Sequence, residues 1–148
     1  MGNETIVNPL RYLIYIPLAY YLGGFVSGFF SPLLWSIFKD YTAGVEHSSF
    51  TDFLYYSYQA CKYLLAGLTY ALVVSIIVPK IHKAGFYVAV LAWAVVNYFA
   101  YSGIDILSNG VMTIKAQRIG IIISFLVTSA ILLLVMKQTV KIHEESFD

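Results

Sequence analysis

The chain has 148 residues, of which 59% are hydrophobic and only 11% charged, and its net charge is +1. Ordinary soluble domains carry about 25% charged residues, so this sequence cannot coat a water-exposed globule, and its expected solvent is a bilayer. A near-neutral chain without a basic run has no grip on a phosphate backbone, and the one cysteine, Cys61, rules out an intrachain disulfide or a Cys-x-x-Cys redox pair.

Four stretches carry no charge: Tyr12 to Phe38, Tyr63 to Pro79, Ala84 to Ile104 and Ile119 to Met136. Each approaches or exceeds the ~20 residues a helix needs to cross ~30 Å of hydrocarbon. The expected fold is an all-α integral membrane protein, a single polytopic domain forming a four-transmembrane-helix bundle. Its spans are expected near 12–38, 60–79, 84–106 and 117–137.

The first stretch is too long for a cleaved signal and ends in Trp35, Phe38 and Lys39, so it is expected to be a retained helix. Pro17, Gly23, Gly24, Gly28 and Pro32 interrupt it. Interior prolines free backbone groups that must find partners in protein, which predicts a kinked or tilted helix facing the bundle on one side. Gly24 and Gly28 form a small-x-x-x-small pair.

The segment Ser48 to Tyr63 is aromatic and amphipathic, with Phe50, Phe53, Leu54 and Tyr58 at helical spacing and a capping-box-like start at Ser49 and Asp52. Aromatic rings with polar tips favour the headgroup region, so a short interfacial aromatic helix is expected before the second span. A platform for a partner or lipid is the alternative.

Further small-residue stripes run through Gly67, Ala71 and Ser75 in the second span and Gly120, Ser124 and Thr128 in the fourth. Lipid tails are as apolar as leucine, so such stripes act through close backbone approach. They are candidates for contacts within the bundle or for an oligomer interface.

Between the second and third spans lies the short basic turn Pro79 to Lys83. A hairpin centred on His82 would bring Lys62 close to the depth of Asp105 near the outer boundary, as an ion pair, a snorkelling lysine or an ion or proton site. It would also put Asn97 level with Gly67, and matching span ends adds Ser31 and Ser124 to an outer polar layer. The default role of that layer is hydrogen bonding between helices. A solute site is the sharper alternative. Asn109-Gly110 marks a turn, after which a helix is expected from about Met112 to about Glu144.

Four crossings put both termini on one side. That side carries Arg11, Lys80, Lys83, Lys137 and Lys141 against Lys39, Lys62, Lys115 and Arg118 on the other, a bias that predicts cytoplasmic termini.

His47, His82 and His143 fall in loops or the tail, where a haem or metal held inside the bundle finds no ligands, so no cofactor or metal is expected. The first span lacks the acidic residue of small multidrug exporters, and Gln117-Arg118 is too little to match membrane glutathione-handling enzymes. Catalysis would need isolated groups such as Glu46, His47 and Asp52, which form no constellation. The expected function is a small non-enzymatic membrane subunit that assembles with itself or with a larger membrane protein complex. The alternative is an oligomeric channel or transporter for a small solute or ion.

Overall fold

The computed structural model describes the backbone of residues 4–42, 49–77, 83–107 and 111–145, with side chains for 14–39, 49–77, 85–104 and 114–138. The four helices are α1 (Glu4–Thr42), α2 (Ser49–Ile77), α3 (Lys83–Leu107) and α4 (Val111–Glu145). Each contains a segment long and apolar enough to cross a membrane: Ile14–Lys39, Ser49–Ile77, Gly85–Ile104 and Ile114–Gln138.

Polarity is distributed as hydrocarbon solvent demands. Ser27, Asn97, Ser124 and Thr128 are buried, whereas Phe25, Phe29, Leu72, Ile76, Leu91, Phe99, Leu126 and Leu134 point outward. A hydroxyl or amide facing lipid would lose its hydrogen bonds, whereas a leucine there loses nothing. The four apolar helices thus describe a multi-pass membrane protein.

In the bundle, α2 packs along α1 on one flank and α4 on the other, α4 also packs against α3, and α1 and α3 meet only briefly. Registers follow from individual contacts. Gly23 lies against Ala66, Ser27 against Lys62 and Ser31 against Tyr58, so each turn up α1 is one turn back along α2 and the two run antiparallel. Gly120 meets Gln59, Ser124 meets Tyr63 and Thr128 meets Gly67, so α2 and α4 run parallel. The start of α1 and the end of α4 therefore lie at the same end of the bundle.

The aromatic segment is not a separate interfacial helix. It is the first half of α2, which runs unbroken from Ser49 to Ile77. The residues from Ser49 to Ala66 include no proline or glycine, so the backbone has no reason to turn at the second span's start. Its rings are recruited by α1 instead. Tyr58 is buried, packs edge-on against Trp35 at 5.2 Å between ring centroids and against Phe38 at 6.0 Å, and shares a 2.8 Å hydrogen bond with Ser31. Likewise α1 passes through Pro17 and Pro32 as a single helix.

Toward the end of the bundle that holds the start of α1 and the end of α4, an apolar core is formed by Ala19, Tyr70, Ala71, Val74, Phe86, Ala89, Trp93 and Leu132. Tyr70 stacks on Trp93 with centroids 4.6 Å apart and planes at 21°, and its hydroxyl donates to the Ala89 carbonyl at 2.8 Å. The pair ties α2 to α3 across the bundle.

Candidate functional site

Above that core the helices open into a cavity of about 230 Å³ lined from all four, including Gly24 and Gly28 of α1, Lys62 of α2, Trp93 and Asn97 of α3 and Ser124 of α4. Tyr20 and Trp93, which both line it, approach each other with ring centroids 6.2 Å apart. Of the helices that line it, α1 and α3 meet only briefly.

The polar layer is built on two consecutive carbonyls of α2. Ser27 Oγ donates to the Lys62 carbonyl at 2.8 Å from α1, and Ser124 Oγ donates to the Tyr63 carbonyl at 2.7 Å from α4. Each carbonyl keeps a second lone pair beyond its helical bond, so a serine from either flank is satisfied without unwinding α2. Ser31 lies one turn farther out, on Tyr58. Asn97 is also buried, but its Nδ2 donates to the Trp93 carbonyl of its own helix at 2.7 Å, so that hydrogen bond joins no second helix.

The small-residue stripes separate into two kinds. Those of α2 and α4 interlock inside the bundle: Gly67 faces Thr128 and Ser124, Ala71 is buried, and a side chain at Gly120 would meet the Gln59 backbone at 3.0 Å. Ser75 turns back to the Ala71 carbonyl at 2.6 Å. On α1 the contact glycine is Gly23, where an added Cβ would come within 2.6 Å of the Ala66 carbonyl oxygen. At Gly24 and Gly28 an added Cβ would meet nothing within 4 Å.

Depth is set by the same registers. The helix ends Ile77 and Lys83 are centred on residue 80 rather than His82, and Gly67 accordingly packs beside Trp93, each 13 residues from that centre. Lys62 is then level with Tyr98, and the Asp105 backbone lies seven residues farther out, ~10 Å along the helix axis. The two backbones are not at equal depth. The side chain of Asp105, like Glu46, His47, His82 and His143, falls outside the described residues.

On α4 the uncharged run between Arg118 and Lys137 spans ~28 Å, close to the thickness of a hydrocarbon core. Arg118 is level with Ser57, so Lys62 lies ~7 Å inside that slab, the only charged residue within it among the described side chains. Arg118 itself sits over the Tyr101 ring at 4.8 Å, where a cation and an aromatic face mark the outer edge. The uncharged run of the second span identified Lys62, but its neighbours needed the fold: Ser27, not Ser31, is its partner on α1, and Trp93 forms the wall beside it.

Among the described residues, no three of His, Cys, Asp or Glu come together. Comparison of the chain with protein-family models, with curated proteins and with solved structures returned no match.

Proposed function

We propose that the chain is a small non-enzymatic integral membrane subunit, with both termini in the cytoplasm, that assembles through α1 with itself or with a larger membrane protein complex. The observation that supports this is the open space at Gly24 and Gly28. Small residues one turn apart earn their place in a membrane helix by letting another backbone approach. The stripes on α2 and α4 are consumed inside the bundle, whereas this pair on α1 has no partner helix within 4 Å of an added Cβ.

Lys62 beside a cavity within the uncharged slab gives the transport reading its support, because ionisable groups at that depth often mark ion or solute routes. A route through one chain would have to cross the core of Tyr70, Phe86, Trp93 and Leu132, so assembly is the reading we favour.

The test compares three leucine substitutions on adjacent turns. Gly24→Leu and Gly28→Leu are expected to lower the mass of the complex extracted from native membranes while leaving the thermal midpoint of the chain within a degree or two. Gly23→Leu is expected to do the reverse, costing at least the ~1–3 kcal/mol of core overpacking because the Ala66 carbonyl cannot move aside. Unchanged mass for both Gly24→Leu and Gly28→Leu would remove the basis for assembly through α1.

A further inference from the structure

We propose that α1 docks a transmembrane helix of a different protein, one that carries a carboxylate at the depth of Lys62; this rests on the reading of α1 as the assembly face. Gly24 and Gly28 bracket Ser27, and Ser27 bonds the Lys62 carbonyl, so a helix seated on the two glycines has its contact residues at the level of that lysine. All of these residues line the same cavity. Its volume of about 230 Å³ admits side chains of a docked helix but not the helix itself.

The chemistry of the cavity selects an anion. Ser27, Ser124 and Asn97 Nδ2 already donate to carbonyls. The Asn97 carbonyl oxygen and the Tyr20 and Tyr63 hydroxyls can accept as well, but the cavity's one charge is the Lys62 ammonium, and the indole N–H of Trp93, a residue only 4% exposed, has no acceptor. A carboxylate is acceptor-only, with about four lone-pair sites, and it neutralises the lysine as well.

Among the described residues, a second copy of the chain offers no carboxylate at that depth. The only carboxylate among the described side chains is Asp52, ten residues outward of Lys62 on α2. Of the other acidic residues, Glu4, Asp40, Asp105, Glu144 and Glu145 have described backbones, and all five lie beyond the ends of the uncharged slab. Copies inserted with one orientation share these depths, so the Lys62 level of one copy faces the Lys62 level of the next. The carboxylate belongs to a chain of another sequence.

The test uses the full-length protein in phosphatidylcholine vesicles, with synthetic single-span Leu/Ala peptides bearing Glu, Gln or Leu at the matching depth and association read by energy transfer. The Glu peptide is expected to bind roughly tenfold more tightly than the Leu peptide. Lys62→Gln should erase that preference without changing binding of the Leu peptide, and Lys62→Arg should keep it. Equal binding of the Glu and Leu peptides, or a Glu preference that survives Lys62→Gln, overturns the proposal. So does loss of the preference on adding phosphatidylglycerol, which would make an anionic lipid the occupant. Gly28→Leu separates the two levels: weaker binding of all three peptides without a Glu preference leaves the assembly face standing and removes the carboxylate, whereas unchanged binding of every peptide removes the face itself.

Discussion

Gly67→Val is expected to leave no folded bundle, and Gly67→Ala to cost at least the ~1–3 kcal/mol typical of overpacking a filled core. A Cβ at this position would overlap the Thr128 hydroxyl and lie 2.7 Å from Ser124 Oγ and 3.3 Å from Trp93 Cζ2. None of the three can yield cheaply. Thr128 and Ser124 are fully buried on a helix that runs alongside α2, and turning Ser124 away would break its bond to the Tyr63 carbonyl. Trp93 is held by its stack on Tyr70. Gly103 is the control, because a Cβ there meets nothing within 4 Å, and Gly103→Ala should be neutral or slightly stabilising. Thermal unfolding in detergent, followed by the yield of monodisperse protein, reads both outcomes. A folded Gly67→Val variant would mean that α2 and α4 do not approach as closely as described.

Tyr70→Ala is the second large effect, with an expected loss of about 3–5 kcal/mol, the range for deleting a buried aromatic ring. Tyr70 is 1% exposed, and through it α2 reaches across the bundle to α3. Removing it leaves Trp93 without its stacking partner in the inner core. Tyr70→Phe isolates the hydroxyl and should cost only about 0.6–1 kcal/mol, since the Ala89 carbonyl keeps its helical donor. If both substitutions cost the same small amount, the ring does not join α2 to α3.

What the sequence could and could not disclose follows from the kind of information each feature carries. Span number is written in runs of uncharged residues, so four membrane-length helices were legible at once, and the extent of α4 to within a residue or so at each end. The aromatic half of α2 was read as a separate short helix because composition reports a preference for polar tips, whereas continuity of a helix depends on the absence of a breaker between Ser49 and Ala66. The level assigned to Lys62 changes with a shift of two residues in the centre of the hairpin, from His82 to residue 80, which moves paired positions by four residues. Small-residue stripes were visible on three helices, but which of them are spent inside the bundle is a property of helix arrangement. The distinction between Gly23, pressed on Ala66, and Gly24, one residue on and open, cannot be read from two adjacent glycines.

The most direct test of α1 as an assembly face is photo-crosslinking in native membranes, with a benzoyl-phenylalanine placed at Phe25 or at Leu126. Both side chains are outward-facing, at 62% and 59% exposure, on helices that do not pack against each other in the bundle. Phe25 adjoins the open glycine pair, whereas Leu126 lies on the outward face of α4. The expected result is a discrete protein adduct from position 25, heavier than the 16.6 kDa chain, and lipid adducts alone from position 126. Lipid adducts alone from both positions would contradict assembly through α1.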